Sequence, residues 1–256
     1  RGQRTFWLEP SGNGCRRHMP SLQLLAVAPL RRVAAPRPVT PAARSHSQIK
    51  WEQVLVLHGG FWRPQYDRKE AASMSAALAA LGWTVATLEY RRIPGDPDAS
   101  LKDIASGLEK LPGMIAGHNG RVVLVGNSAG GHLALWVAAQ SWATVLKGVL
   151  ALAPIADLGL AQKRNLGQGA VMAFLGTTAA ERPDADPLQL AAPAARIVIA
   201  HGTDDAVVPL EISASYLAAF PCTRLVRLQG SGHFALIDPL NSAWPVVVEE
   251  LQRLCA

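Results

Sequence analysis

The feature that most constrains this chain is an alternation, from residue 53 onward, between short β-branched apolar runs and alanine- and leucine-rich stretches of helical period. Strands that are apolar throughout have to be covered on both faces. The alternation therefore predicts an α/β fold, with a mostly parallel central sheet and helices on each side. The predicted strands are 53–60, 84–90, 121–128, 146–154, 196–202 and 223–230, and the predicted helices are 68–81, 99–111, 129–140, 209–219 and 241–254.

Two segments fall outside this alternation. Residues 1–50 are rich in arginine, proline, alanine and serine, and they predict a basic leader that is disordered or matches the fold poorly, ahead of a domain at 51–256. Three interpretations of this leader remain open: an organelle transit peptide, a plain linker and an over-extended reading frame. Residues 157–192 predict a small cap-like excursion over the carboxyl edge of the sheet.

Charge and composition exclude several classes of function. The net charge is +6, but residues 1–50 carry eight arginines and one lysine against a single glutamate, so the remainder sums to −2. Because the basic excess lies in the leader and no nucleic-acid-binding motif accompanies it, we expect no nucleic-acid partner.

No apolar run reaches the ~18 residues of a membrane span, so we expect no membrane partner either. The three scattered cysteines favour a reducing compartment, and the expected location is the cytoplasm.

A possible nucleophile lies where the third predicted strand meets a helix. "GNSAG", residues 126–130, places Ser128 between two glycines at that turn. A serine there can be a simple helix N-cap. The pattern G-x-S-x-G between a strand and a helix also forms a sharp turn that exposes a nucleophilic hydroxyl, and it needs small neighbours because larger side chains would clash.

Three more stretches, each at the carboxyl end of a predicted strand, favour catalysis. "HGGFW" (58–62) offers glycine N–H groups to a developing oxyanion. "HGTDDAVVP" (201–209) supplies carboxylates, and "GSGHFALIDP" (230–239) supplies His233. Since the carboxyl ends of parallel strands meet at one edge of the sheet, we expect a serine, a carboxylate and a histidine to lie together there.

With "EYRR" (89–92) added, these motifs resemble the α/β-hydrolases of the kynurenine formamidase and carboxylesterase group over residues 53 to 254. The resemblance implies an α/β-hydrolase fold. It also implies a catalytic triad of Ser128, Asp205 and His233, in which Asp205 and not its neighbour Asp204 is the acid.

The same resemblance implies an oxyanion hole and a pocket. Backbone N–H groups of Gly60, Phe61 and Ala129 would bind the oxyanion, and Gly59 with Trp62 would form part of the substrate pocket. This chemistry needs no metal and no organic cofactor. His132, one helical turn after the nucleophile, is expected to be a packed or hydrogen-bonded helix residue.

The expected function is a serine hydrolase that cleaves a short-acyl amide or ester. "HGGFW" favours an arylformamidase acting on a small molecule of the N-formylkynurenine type, because the aromatic residue stands where many esterases have a third glycine. A general short-chain carboxylesterase is the alternative, and a non-catalytic ligand-binding protein on the same fold is a third. The oligomeric state is left open by the sequence.

Overall fold

The computed structural model describes residues 24–27, 51–115 and 118–256. These residues form a seven-stranded sheet in the order β1-β3-β2-β4-β5-β6-β7. β1 is antiparallel to β3, and each other neighbouring pair is parallel. The strands are β1 (Leu24–Val27), β2 (Trp51–Leu57), β3 (Thr84–Leu88), β4 (His118–Asn127), β5 (Leu146–Leu152), β6 (Arg196–Gly202) and β7 (Arg224–Leu228).

Helices cover both faces of the sheet. Their bounds are α1 (Ala72–Ala80), α2 (Pro97–Met114), α3 (Ala129–Ala138), α4 (Leu158–Lys163), α5 (Ala170–Leu175), α6 (Leu210–Ala219) and α7 (Trp244–Cys255). Alternate residues of β2 face opposite sides, so Val54 and Val56 pack with α1 and α7, whereas Leu55 and Leu57 pack with α2, α3 and α6. No helix in the described ranges is long and apolar enough to cross a bilayer.

The six predicted strands and five predicted helices are all present, with ends that differ by a few residues. One strand was not expected. β1 lies within residues 1–50, and it pairs Leu24 with Leu88 and Val27 with Val85. Four residues are too few to show alternation, and their partner strand lies about sixty positions away along the chain. Apart from β1, the leader predicted at 1–50 lies outside the described residues.

The segment predicted as an excursion, 157–192, contains no strand. It consists of α4, α5 and three short 3-10 turns between β5 and β6. Its apolar side chains, including Leu158, Phe174 and Leu175, join the core on the α3 side of the sheet. The excursion therefore packs against the helix that begins at the candidate nucleophile.

Candidate active site

Ser128 occupies a strained turn between β4 and α3. Its backbone has φ 55° and ψ −116°, which is unusual for a residue with a side chain. The Ser128 N–H donates to the carbonyl of Leu152 at 2.8 Å, so the turn is anchored to the end of β5. The Ser128 hydroxyl does not cap α3. A helix N-cap therefore does not explain why this serine is there.

The two glycines of the turn are required by close packing. A Cβ on Gly126 would lie 2.2 Å from the carbonyl oxygen of Gly130, and a Cβ on Gly130 would lie 2.1 Å from that of Leu57. Both approaches are far inside van der Waals contact. Only glycine lets α3 start this close to the ends of β2 and β4.

Asp205 and His233 come together from the loops after β6 and β7. His233 Nδ1 donates to Asp205 Oδ2 at 2.6 Å, and both side chains are almost fully buried. Asp204 is exposed, and its carboxylate accepts from the Thr203 hydroxyl instead. The structure thus brings Asp205, and not Asp204, to the histidine.

Several donors keep Asp205 ionised. Its Oδ1 accepts from the backbone N–H groups of Val207 and Val208, each at 2.8 Å. His201 Nε2 donates to the Val208 carbonyl at 2.8 Å and lies 3.4 Å from Asp205 Oδ2. Burial would raise the pKa of Asp205, but the hydrogen bonds from His201, His233 and the Val208 N–H hold it well below its usual range.

The loop after β2 has an unusual backbone. Gly60, Phe61 and Trp62 have φ values of 109°, 51° and 55°, so two residues with side chains adopt left-handed geometry in succession. Each such residue costs about 1–2 kcal/mol. The N–H groups of Phe61 and Ala129 make no backbone hydrogen bond in the described part of the chain.

A buried polar cluster supports the start of this loop. Glu89 accepts from the backbone N–H of Arg68 at 2.9 Å and from the guanidinium of Arg92. His58 Nε2 lies 3.4 Å from Glu89, and Tyr90 donates its hydroxyl proton to the His58 carbonyl at 2.8 Å. Burial would raise the pKa of Glu89, but hydrogen bonds from His58, Arg68 and Arg92 outweigh it and lower that pKa to about 2.

A cavity of about 160 Å³ lies between Ser128, His233 and the loop after β2. Both Ser128 and His233 line it, although no hydrogen bond joins them among the described residues. A hydrogen bond between a nucleophile and its base is often long until substrate binds. The other lining residues are His58, Gly59, Gly60, Phe61, Tyr66, Glu70, Ala71, Met74, Asn127, Val207, Phe234 and Ile237.

One residue that was expected in the substrate pocket does not line the cavity. Gly59 lines it as predicted, but Trp62 does not. The left-handed turn carries the Trp62 ring into the core, where it stacks on Phe174 with ring centroids 4.5 Å apart. Phe61 lines the cavity instead.

One part of the cavity wall lies outside the sequence motifs. Tyr66, Glu70 and Met74 belong to the segment that leads from β2 into α1, which carries no recognisable pattern. Phe234 was detectable from the sequence, because it directly follows His233 in the stretch at 230–239. Across the described residues, no three His, Cys, Asp or Glu side chains are grouped so as to hold a metal ion.

Comparisons with known proteins agree with this architecture. A protein-family model described as BD-FAE matches residues 42–219. Esterase B from Lactobacillus rhamnosis, solved with a tributyrin phosphonate inhibitor, superposes with a TM-score of 0.71 at 21% identity over 90% of this chain and 79% of that chain. No curated protein sequence gives a significant match.

Two further solved structures share the fold. A thermophilic esterase from Thermogutta terrifontis has a TM-score of 0.64 at 19% identity over 91% of this chain and 86% of that chain. A putative thioesterase from a Silicibacter species has a TM-score of 0.67 at 18% identity over 88% and 80%. These likenesses establish an α/β-hydrolase fold, as the sequence motifs predicted.

Proposed function

Since the chain belongs to the BD-FAE family, we propose that it is a serine hydrolase of the carboxylesterase type, which cleaves short-acyl esters through an acyl-enzyme. The observation that carries the proposal is the hydrogen-bonded pair of His233 and Asp205, in which His233 lines the same cavity as the strained Ser128. An N-cap serine or a ligand-binding pocket needs neither the buried pair nor the strain.

The proposed reaction begins at the Ser128 hydroxyl. His233 accepts its proton at Nε2 while Ser128 attacks the acyl carbonyl, and ionised Asp205 holds Nδ1–H and stabilises the imidazolium. His233 then passes the proton to the leaving alcohol or amine, which departs. Water, deprotonated by the same histidine, releases the acyl group from Ser128.

The oxyanion is assigned to backbone donors. N–H groups of Gly60, Phe61 and Ala129 would donate hydrogen bonds to the carbonyl oxygen as negative charge develops on it, and loss of one such donor costs about 3 kcal/mol of barrier. These groups come from the loop after β2 and from the start of α3, so the hole depends on how those two segments are held together. The chemistry uses neither a metal nor an organic cofactor.

The cavity favours a small acyl group. Its volume of about 160 Å³ is close to that of a cavity that holds benzene. A butyryl group has about as many heavy atoms as benzene and an octanoyl group has more, so activity should fall beyond ~4 acyl carbons. The Thermogutta esterase has been solved with propionate and with butyrate bound, and these chain lengths are the first to test here.

An arylformamidase is the second candidate. Phe61, Tyr66 and Phe234 put three aromatic rings in the cavity wall, and such rings favour an aromatic leaving group. The stacking expected from Trp62 does not contribute, because Trp62 lies in the core. The proposed partner is thus a small-molecule ester or formamide, without nucleic acid or membrane.

The test is kcat/KM for aryl acetate, butyrate and octanoate esters and for N-formylkynurenine, with Ser128→Ala as the matched inactive variant. We expect acetate and butyrate to exceed octanoate by at least ~10-fold. Formamide turnover above ester turnover would favour the arylformamidase. Absence of any turnover in the wild type would reject the hydrolase and favour a ligand-binding protein.

A further inference from the structure

A hydrogen bond connects the loop after β2 with α3. The indole Nε1–H of Trp62 donates to His132 Nδ1 at 3.3 Å, and the two rings meet edge to face with centroids 5.0 Å apart. Trp62 is two positions after Gly60, and His132 is one helical turn after Ser128. The contact therefore joins the two segments that carry the candidate oxyanion donors.

The tautomer of His132 suits this contact. His132 is fully buried, and its Nε2 lies 2.9 Å from the carbonyl oxygen of Ala185 in the excursion. A carbonyl can only accept, so Nε2 carries the proton, and Nδ1 is left with a lone pair for the indole. Burial lowers the pKa of His132 to about 4, so the ring stays neutral at ordinary pH.

The loop needs such a contact. Phe61 and Trp62 both have left-handed backbones, and this geometry persists only when the surroundings fix it. Trp62 is held on one face by Phe174 and at its nitrogen by His132. An apolar residue at position 132 could fill the space but could not fix the position of the indole nitrogen.

We propose that Trp62 and His132 form a positioning pair that sets the distance between the oxyanion donors at Phe61 and Ala129. Two donors from different segments can bind one oxygen only when both lie within hydrogen-bond reach of it. Neither side chain lines the cavity, so the pair acts through the backbone. This inference rests on the proposed hydrolase function.

Three substitutions separate positioning from packing. Trp62→Phe keeps a ring on Phe174 but removes the indole N–H. His132→Asn keeps an acceptor where Nδ1 stands, whereas His132→Gln keeps a donor for Ala185 and loses that acceptor. We expect Trp62→Phe and His132→Gln to lower kcat for an aryl acetate by ~10- to 100-fold with little change in KM, since misplacing a donor costs less than deleting it.

The relative activities of the variants distinguish positioning from packing. His132→Asn should keep more activity than His132→Gln, and combining Trp62→Phe with His132→Gln should cost no more than either alone. Trp136→Phe is the matched control. Trp136 also lies on α3 and donates its indole N–H to an excursion carbonyl, that of Asp184 at 2.9 Å, but among the described residues no hydrogen bond or ring contact joins it to the loop after β2.

A second readout does not require activity. Hydrogen–deuterium exchange of the 58–64 backbone should speed up in Trp62→Phe and His132→Gln but not in Trp136→Phe. If exchange and kcat stay at wild-type values while the melting temperature falls, the pair is only structural and the inference is wrong. If the wild type neither hydrolyses esters nor reacts with a phosphonate, the proposed function fails, and faster exchange in the two variants would still support the link between the segments.

Discussion

Replacement of Glu89 by glutamine tests the electrostatics beneath the loop after β2. The change removes one charge and keeps the size of the side chain. Glu89 accepts from His58, the Arg68 N–H and Arg92, and these contacts lower its pKa from 4.5 to about 2. One unit of pKa shift corresponds to about 1.36 kcal/mol. Because solvent at the exposed edge of Glu89 screens part of this interaction, the carboxylate contributes about 2–3 kcal/mol to the free energy of unfolding at pH 7.

The sign of the pH dependence follows from the lowered pKa. The unfolded chain takes up a proton near pH 4.5, whereas folded Glu89 resists it until about pH 2, so the contribution is complete above about pH 5.5. It falls as the pH drops, by about a quarter at pH 4 and by more than half at pH 3. The glutamine variant carries no such group, so its deficit against the wild type should shrink in the same window.

Urea unfolding at pH 7, 5, 4 and 3 measures the deficit directly. Glu109→Gln, at an exposed carboxylate on α2, is the control and should match the wild type throughout. A deficit of about 2–3 kcal/mol at pH 7 that narrows below pH 5 supports the reasoning. A deficit that is the same at every pH would show that packing, and not charge, makes Glu89 important.

Two further predictions concern the acid that contacts His233 and the turn that holds Ser128. Asp205→Asn should lower kcat/KM by about 10³–10⁴ while Asp204→Asn changes it little, because only Asp205 contacts His233; equal losses in an aryl acetate assay would contradict this. Gly130→Ala should lower the free energy of unfolding by at least about 1–3 kcal/mol, since its Cβ would lie 2.1 Å from a backbone oxygen. Gly113→Ala is the control, because its Cβ meets open space on α2, and it should raise the free energy of unfolding by about 0.5 kcal/mol. Urea unfolding measures both variants, and a Gly130→Ala variant as stable as the wild type would show that the turn can relax.

The sequence predicts the sheet and the loops of the candidate site because local patterns determine them. The apolar runs of β2 and β4 alternate between two cores, so their period and type are visible without a structure. Ser128 was recognisable because only small neighbours fit its turn. The expectation that His132 is a hydrogen-bonded helix residue is confirmed by its contacts with Trp62 and Ala185.

The parts that were not predicted depend on contacts between distant segments. β1 is defined by its pairing with β3, and four residues carry no period of their own. The direction of the Trp62 ring depends on two consecutive left-handed residues, for which phenylalanine and tryptophan give no signal. Tyr66, Glu70 and Met74 join the cavity wall from the segment that leads from β2 into α1, which carries no motif of its own.

Mass spectrometry after treatment with an aryl phosphonate tests directly whether Ser128 is the nucleophile. Reaction at the nucleophile leaves a covalent adduct, which peptide mapping assigns to one residue. We expect a single adduct on Ser128 in the wild type, none in Ser128→Ala, and a much slower reaction in Asp205→Asn. An adduct on a different serine, or an undiminished adduct in Ser128→Ala, would contradict the assignment of Ser128 as the nucleophile.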